Sequence, residues 1–293
     1  MALRSEVCFR LARRLVLTRQ PGQAGANPAS FDPAAYQAWR AADLQKQFAG
    51  FLSTADVEGL DVLDFGCGDG DLSLLVAGLG AKSVTGIDLS QSGIRSAEQR
   101  AANMPVARRP RFALATSARS IDLPDQSVDL ILCFDVLEHV MDYEQIVAEW
   151  RRVLRSGGNV AIWWVPWWHP YGPHIESLVP IPWAHVFFSE RVLLATCARL
   201  YAMPEFRPRV WDLDEDGNKR PNKWHDMTHL PAINRLTMWQ FERLCRHVGF
   251  AIAERRLTGF GASRLARSTH LALHVPFLRE FFTSSVVYRL RKS

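Results

Sequence analysis

The sequence predicts an α/β fold: a mostly parallel sheet covered by helices on both faces. Three observations predict it. Strand-like apolar runs alternate with segments of helical period between residues 60 and 165, a glycine-rich turn follows the first run at once, and the same rhythm returns after residue 235. The chain has 293 residues, of which 48% are hydrophobic and 22% charged, so it can bury a sizeable core.

LDVLDF (60–65) reads as the first strand, and DLSLLVAGLG (71–80) as a helix with a glycine stop. KSVTGIDLS (82–90) follows as the second strand, and SGIRSAEQRAAN (92–103) as a helix opening at a serine cap. RFALAT (111–116), VDLILCF (128–134) and NVAIWWV (159–165) supply three more strands. Before the last of these, YEQIVAEWRRVL (143–154) places Ile146, Val147, Trp150, Val153 and Leu154 on one helical face, and Gly157-Gly158 is expected to end it.

After residue 165 the rhythm breaks. Residues 166–234 are rich in Pro, Trp and His, with one clear helix, SERVLLATCARLYA (189–202), capped by Ser189 and stopped before Pro204. Regular pattern resumes with a helix at LTMWQFERLCRHVG (236–249), a strand at FAIAERRL (250–257), a helical HLALHVPFLREFF (270–282) and a final strand at SSVVYRLR (284–291). The simplest organisation is an N-terminal arginine-rich tail or helix over 1–30 and a single domain over 31–293. In that domain, 166–234 is an insertion after the fifth strand, far longer than the usual βα loop of about 2–6 residues.

The start, MALRSEVCFRLARRLVLTRQ, is broken too often by arginine for a secretory signal or a membrane-spanning helix. Five widely spaced cysteines without a CxxC pair argue for a reducing compartment, hence a cytoplasmic protein, and against zinc or a disulfide framework. The net charge of +5 does not indicate nucleic acid. The arginines are spread along the chain, RRPR (108–111) is their densest cluster, and a solvated surface accounts for them.

The chemistry gathers in Asp64-Phe65-Gly66-Cys67-Gly68-Asp69-Gly70-Asp71, between the first strand and the first helix, where doubly wound sheets bind nucleotides. A dinucleotide needs amide donors for its pyrophosphate. Here three aspartates crowd the turn, and Asp71 replaces the third glycine of GxGxxG. Acidic surroundings instead suit S-adenosylmethionine, which has no phosphate and carries an ammonium and a sulfonium. Asp88, ending the second strand, is placed to accept both ribose hydroxyls.

VLDFGCGDG, VTGIDLS, LPDQSVDLILCFDVLEHV and WRRVLRSGGNVAI, in this order, closely resemble the class I S-adenosylmethionine-dependent methyltransferases, in particular the branch acting on small molecules and quinone precursors. The resemblance implies a Rossmann-like seven-stranded sheet, mostly parallel, with an antiparallel last strand. It implies that Asp64, Gly66, Gly68 and Gly70 frame the methionine end of the cofactor and Asp88 the ribose, with Leu89 beside the adenine. Thr116, Ser117 and Ala118 would flank the adenine, and Phe134 with Asp135 the methionine side. One departure is the stretch ATSARS (115–120), which lacks the aspartate that many relatives offer to the adenine amino group.

Methyl transfer needs the nucleophile held close to the methyl in a dry pocket, and a base only where the nucleophile must lose a proton. His139, in the pair Glu138-His139 after the fourth strand, is one candidate; His169 and His174, just beyond the fifth, are two more. Seven of the ten tryptophans and five of the nine histidines fall between 163 and 229. The insertion therefore reads as a substrate lid in which Trp167, Trp168, Tyr171 and Trp183 form a flat apolar pocket for an aromatic, lipid-like or amine acceptor. Trp163 and Trp164 belong to the fifth strand and read as core.

Metal binding is not expected. Asp212-Leu213-Asp214-Glu215-Asp216-Gly217 imitates half of an EF-hand loop, but Lys223 stands where the bidentate glutamate is required. His225 and His229 have helical ligand spacing, with no third ligand in register and Pro231 close behind. Two other readings stay open: a cofactor-binding protein that uses S-adenosylmethionine for a non-methyl reaction such as cyclisation, and a nicotinamide-dependent oxidoreductase. The partner is a small-molecule acceptor. Weak peripheral membrane contact through the arginine-rich start or Phe277, Phe281 and Phe282 is a further option, and the sequence fixes no oligomeric state.

Overall fold

The computed structural model describes residues 2–18, 32–214, 216–230, 233–260 and 268–293. Residues 19–30 of the expected N-terminal segment, Glu215 of the acidic run and Pro231 lie outside these. The chain divides into two compact units, one comprising Ala41–Pro166 with Asn234–Ser293, the other Met1–Arg40 with Trp167–Ile233.

The first unit holds a seven-stranded sheet: β1 (Asp61–Phe65), β2 (Ser83–Asp88), β3 (Arg111–Leu114), β4 (Val128–Phe134), β5 (Leu154–Trp164), β6 (Phe250–Thr258) and β7 (Ser285–Lys292). Their order is β3-β2-β1-β4-β5-β7-β6. The first five pair in parallel, and β7 runs antiparallel to both β5 and β6. This is the mostly parallel Rossmann-like sheet with an antiparallel last strand that the motifs imply. The order reverses between β1 and β4, the switch point where α/β sheets open a crevice at the carboxyl ends of their strands.

Alternation along the strands feeds two apolar clusters. Ile131 and Cys133 of β4, with Val160, Ile162 and Trp164 of β5, pack with Ile146, Val147, Trp150 and Val153 of α5 (Tyr143–Val153) and Met238, Phe241 and Cys245 of α8 (Met238–Val248). Leu130, Leu132, Phe134, Ala161 and Trp163 point the other way, toward Leu72 and Val76 of α3 (Asp71–Gly78) and Leu44 and Phe48 of α2 (Pro33–Ala49). Trp163 and Trp164 therefore serve opposite faces. Trp164 is fully buried and meets Phe241 edge-on at 5.9 Å, a site where truncation to alanine costs about 3–5 kcal/mol.

Three local expectations change. The cap of α4 (Gln91–Ala101) is Ser90, whose Oγ accepts the Gly93 amide at 3.1 Å, and not Ser92. Gly157-Gly158 does not end α5: β5 begins directly at the buried Leu154, which pairs with Val128, and the ladder resumes at Asn159 opposite Leu130. The glycines lie in the bulge between, with Gly157 at φ +77°. Residues 270–282 are not one helix but a 3₁₀ turn, Thr269–His274, and a short α9 (Arg279–Phe282). Pro276 explains the break, because it holds Val275 in an extended conformation and offers no N–H to a helix.

In the second unit, which also holds the short α6 (Ala184–Phe187), α1 (Ala2–Thr18) packs Cys8 and Ala12 against α7 (Glu190–Tyr201), next to Leu193, Cys197 and Leu200. Glu6 pairs with Arg10 and Arg199, and the Arg199 guanidinium lies 3.5 Å from the centre of the Phe9 ring. In the acidic run, Asp214 Oδ1 accepts the amides of Asp216 and Asn218, and Leu213 bridges Lys219. No described helix is long and apolar enough to cross a membrane.

Candidate active site

At the carboxyl edge of the first unit, the chain leaves β1 through three glycines in left-handed backbone, Gly66, Gly68 and Gly70, with φ of +77°, +50° and +78°. The Gly66 and Cys67 amides donate to the Ile87 carbonyl at 2.8 and 3.0 Å, fastening the loop to the end of β2. A Cβ on Gly66 would lie 2.5 Å from Val136 Cγ2, so only glycine lets β1 and the β4 turn approach this closely. At Gly68 the same construction meets nothing within 4 Å. Its backbone is open to a ligand.

Asp88 is held by two backbone amides. Its Oδ2 accepts the Gly68 amide at 2.8 Å and its Oδ1 the Ser90 amide at 2.7 Å. A carboxylate offers roughly four lone-pair positions, so these two bonds fix its orientation and leave acceptor capacity for two hydroxyls. Beside it, the Ala115 amide donates to the Asp88 carbonyl, and Ser117 Oγ accepts the Arg119 amide.

Beyond β4, Asp135 takes left-handed backbone (φ +60°), and its amide donates to the Trp163 carbonyl. Leu137–His139 then form a 3₁₀ turn. Asn234 holds this turn: its Nδ2 donates to the carbonyls of Leu137 and Val140 at 2.6 and 2.8 Å, and its own amide to the carbonyl of Glu138.

These elements enclose a cavity of about 300 Å³, at the lower end of the range for small-molecule sites. Of the residues expected at the site, Gly66, Asp88, Leu89, Ser117, Ala118, Asp135 and His139 line it. The others are placed around it. Gly68 and Gly70 shape the loop, Thr116 lies between lining residues, and Phe134 is buried in the apolar cluster against α3. Phe65, Ile87, Ala115, Ser120, Val136 and Val140 complete the wall. The apolar ones were not singled out in the sequence because apolar residues near strand ends look like core, and Ser120 because it looks like an ordinary turn residue; all lie in or after the carboxyl halves of β1 to β4.

Asp64 is different in kind from Asp88. It is 2% exposed and accepts the Ser73 hydroxyl at 2.6 Å. Burial pushes its carboxyl up to about 7, with the charges of Asp88 and Asp71 adding to the rise and the Ser73 bonds opposing it. Asp71 is neutralised by Arg100, which also donates to the Asp69 carbonyl. The negative charge facing the cavity is therefore that of Asp88 and Asp135. No lysine or arginine lines it, and most of the wall is apolar. That combination fits a flat heterocycle with a cationic end, and it does not fit a pyrophosphate.

The remaining candidates lie in the second unit. His169 and Tyr171 rings meet edge-on at 5.9 Å, and His169 Nδ1 accepts the Tyr171 amide at 3.0 Å. Trp167 and Trp168 flank His185, at 5.1 and 6.0 Å between ring centres. The Trp183 amide donates to the Pro170 carbonyl, and Trp183 and His174 both take left-handed backbone. Burial, then the neighbouring His174 and His185, push the His169 imidazole down to about 3. His169 is thus neutral at ordinary pH, and with Nδ1 accepting, its ring proton sits on Nε2. His185, central to this group, was not singled out beforehand.

With this geometry in view, residues 63–162 match the family described as methyltransferase domain. That stretch spans β1 to β5 of the sheet described above. The domain is 40% identical over 108 residues to a ubiquinone biosynthesis O-methyltransferase of Cupriavidus pinatubonensis, covering 37% of this chain and 42% of that protein. It is 34% identical over 101 residues to the 27-O-demethylrifamycin SV methyltransferase of Amycolatopsis mediterranei, covering 34% and 37%. The chain spans about two fifths of the length of the curated relatives it matches. The crystal structure of an S-adenosylmethionine-dependent methyltransferase from Mesorhizobium loti shares the fold, with a TM-score of 0.51 and 20% identity over 84% of this chain and 96% of that one.

Proposed function

We propose that the protein transfers the methyl group of S-adenosylmethionine to a small organic acceptor, with a hydroxyl oxygen on an aromatic or lipid-like molecule as the preferred nucleophile. The observation that carries this reading is Asp88: a carboxylate oriented by two backbone amides, at the rim of a largely apolar cavity lined by no lysine or arginine. The O-methyltransferases that match the domain support oxygen as the target.

Bound S-adenosylmethionine supplies a methyl group activated by its positive sulfur. The protein supplies position and charge. Asp88 accepts the ribose hydroxyls, Ser117 and Ala118 flank the adenine, and Asp135 adds negative charge toward the cationic end. His139, exposed on the cavity wall, takes the hydroxyl proton onto an imidazole nitrogen as the acceptor oxygen attacks. His169, already neutral with its proton on Nε2, is suited to donate a hydrogen bond rather than to act as base. Trp167, Trp168, Tyr171, Trp183 and His174 are assigned to the acceptor, for which flat apolar rings provide area at low entropic cost. Five free, buried thiols support a reducing, cytoplasmic setting.

The direct test is incubation with methyl-labelled S-adenosylmethionine and pooled aromatic and lipid-like metabolites. Label in an extractable O-methyl product is expected. Conversion of a metabolite without transfer of label would instead support a non-methyl use of the cofactor.

A further inference from the structure

The arginine cluster at 108–111 plays no part in the site described above, yet it converges with Lys82 on one recess. Arg108, Arg109 and Arg111 join Lys82, Ser83 and Thr85 around a cavity of about 280 Å³. Ser83 and Arg111 are the first residues of β2 and β3, whereas Asp88 is the last residue of β2. The recess therefore lies at the opposite edge of the sheet, roughly 16 Å away along the strand.

We infer that this recess binds the phosphate groups of a small ligand, with a diphosphate as the best match to its charge and size. Four positive side chains line it and no carboxylate does. Lys82 is paired with Asp61 at 3.0 Å. Among the described residues, Arg108, Arg109 and Arg111 have no carboxylate at ion-pair distance. Arg109 is held by structure: its Nη2 donates to the carbonyls of Ala102 and Met104 at 2.9 and 3.2 Å, just past the end of α4. Its remaining donors, with the forks of Arg108 and Arg111, match phosphate oxygens, and the Thr85 hydroxyl adds a neutral donor. Like charges gathered in a recess repel unless an anion joins them. An extended nucleic-acid track needs a basic stripe; a single recess suits a discrete anion.

The test uses the full chain and inorganic pyrophosphate, titrated calorimetrically at constant ionic strength, beside the variant Arg108→Ala/Arg111→Ala. Binding by the wild type and a loss of about tenfold or more in affinity in the variant are expected. Arg108→Lys/Arg111→Lys keeps the charge and loses the forks, and should fall between the two. A parallel arm measures co-sedimentation with phosphatidylglycerol and with phosphatidylcholine vesicles. Variant-sensitive binding to pyrophosphate identifies a soluble ligand; variant-sensitive binding to the anionic vesicles alone identifies a lipid headgroup as the source of the same phosphate chemistry. The arginines are exposed and outside the methyl-transfer site, so affinity for S-adenosylmethionine should be unchanged and reports on folding. If neither probe binds, or if neither is sensitive to the variants, the inference is overturned.

Discussion

The buried side chain of Asn234 donates to the Leu137 carbonyl at 2.6 Å, joining positions 97 residues apart. With the second bond to Val140 and the backbone bond to Glu138, this grip holds the turn that presents His139 to the cavity. Asn234→Ala removes both side-chain bonds and leaves the Leu137 carbonyl with the Val140 amide alone, a loss of about 1–3 kcal/mol in stability by urea unfolding. Because Asn234 acts through the turn, kcat should drop while affinity for S-adenosylmethionine stays near the wild-type value. An equal fall in both would point to general damage instead.

Gly66 tests the loop. Alanine there must adopt φ near +77° and place its Cβ 2.5 Å from Val136 Cγ2. The backbone part alone costs about 1–3 kcal/mol. Gly66→Ala/Val136→Ala should recover the steric part but not the backbone part. Denaturation of the three proteins separates the two contributions.

Asp64 predicts a pH dependence of stability. Its carboxyl is pushed up to about 7 in the folded protein, against about 4 in an unfolded chain. Between these values the folded state binds more protons than the unfolded one, so this group's contribution makes stability fall as pH rises from about 4 to about 7 and level off above that. Asp64→Asn, which can still accept the Ser73 hydroxyl, should flatten that fall. An unchanged slope in unfolding experiments across pH 4–8 contradicts the assignment.

His139 and His169 should separate in the kinetics of their variants. His139→Ala is expected to lower kcat by about 10²–10⁴-fold. His169→Gln keeps a side-chain hydrogen-bond donor in place of an imidazole that is already neutral, and should stay within about tenfold of the wild-type kcat. A larger fall in the second variant than in the first would reverse the two roles.

The strands and the glycine loop were legible because buried parallel strands and the turn that follows them leave continuous apolar runs and glycines in sequence. Asp88 was legible for the same reason, as the polar residue ending such a run. What stayed hidden depends on contacts remote in sequence. Val136 looks like any apolar residue until Gly66 is seen against it. Asn234 has no local signal at all. The expected helix over 270–282 failed where helical apolar spacing outweighed Pro276, and Gly157-Gly158 was misplaced because a bulge and a helix stop share the same residue type. Asp64 and Asp88 looked alike in sequence; burial against Ser73 separates them.

The central claim, that Asp88 anchors S-adenosylmethionine in this cavity, is tested most directly by calorimetric titration of the cofactor into the wild-type protein and into Asp88→Ala. The account predicts one site per chain in the wild type, little affinity for NAD, and a weakening of about tenfold or more in the variant, as two hydrogen bonds to a charged acceptor are lost. Absence of binding in the wild type, or equal affinity in the two proteins, would contradict it.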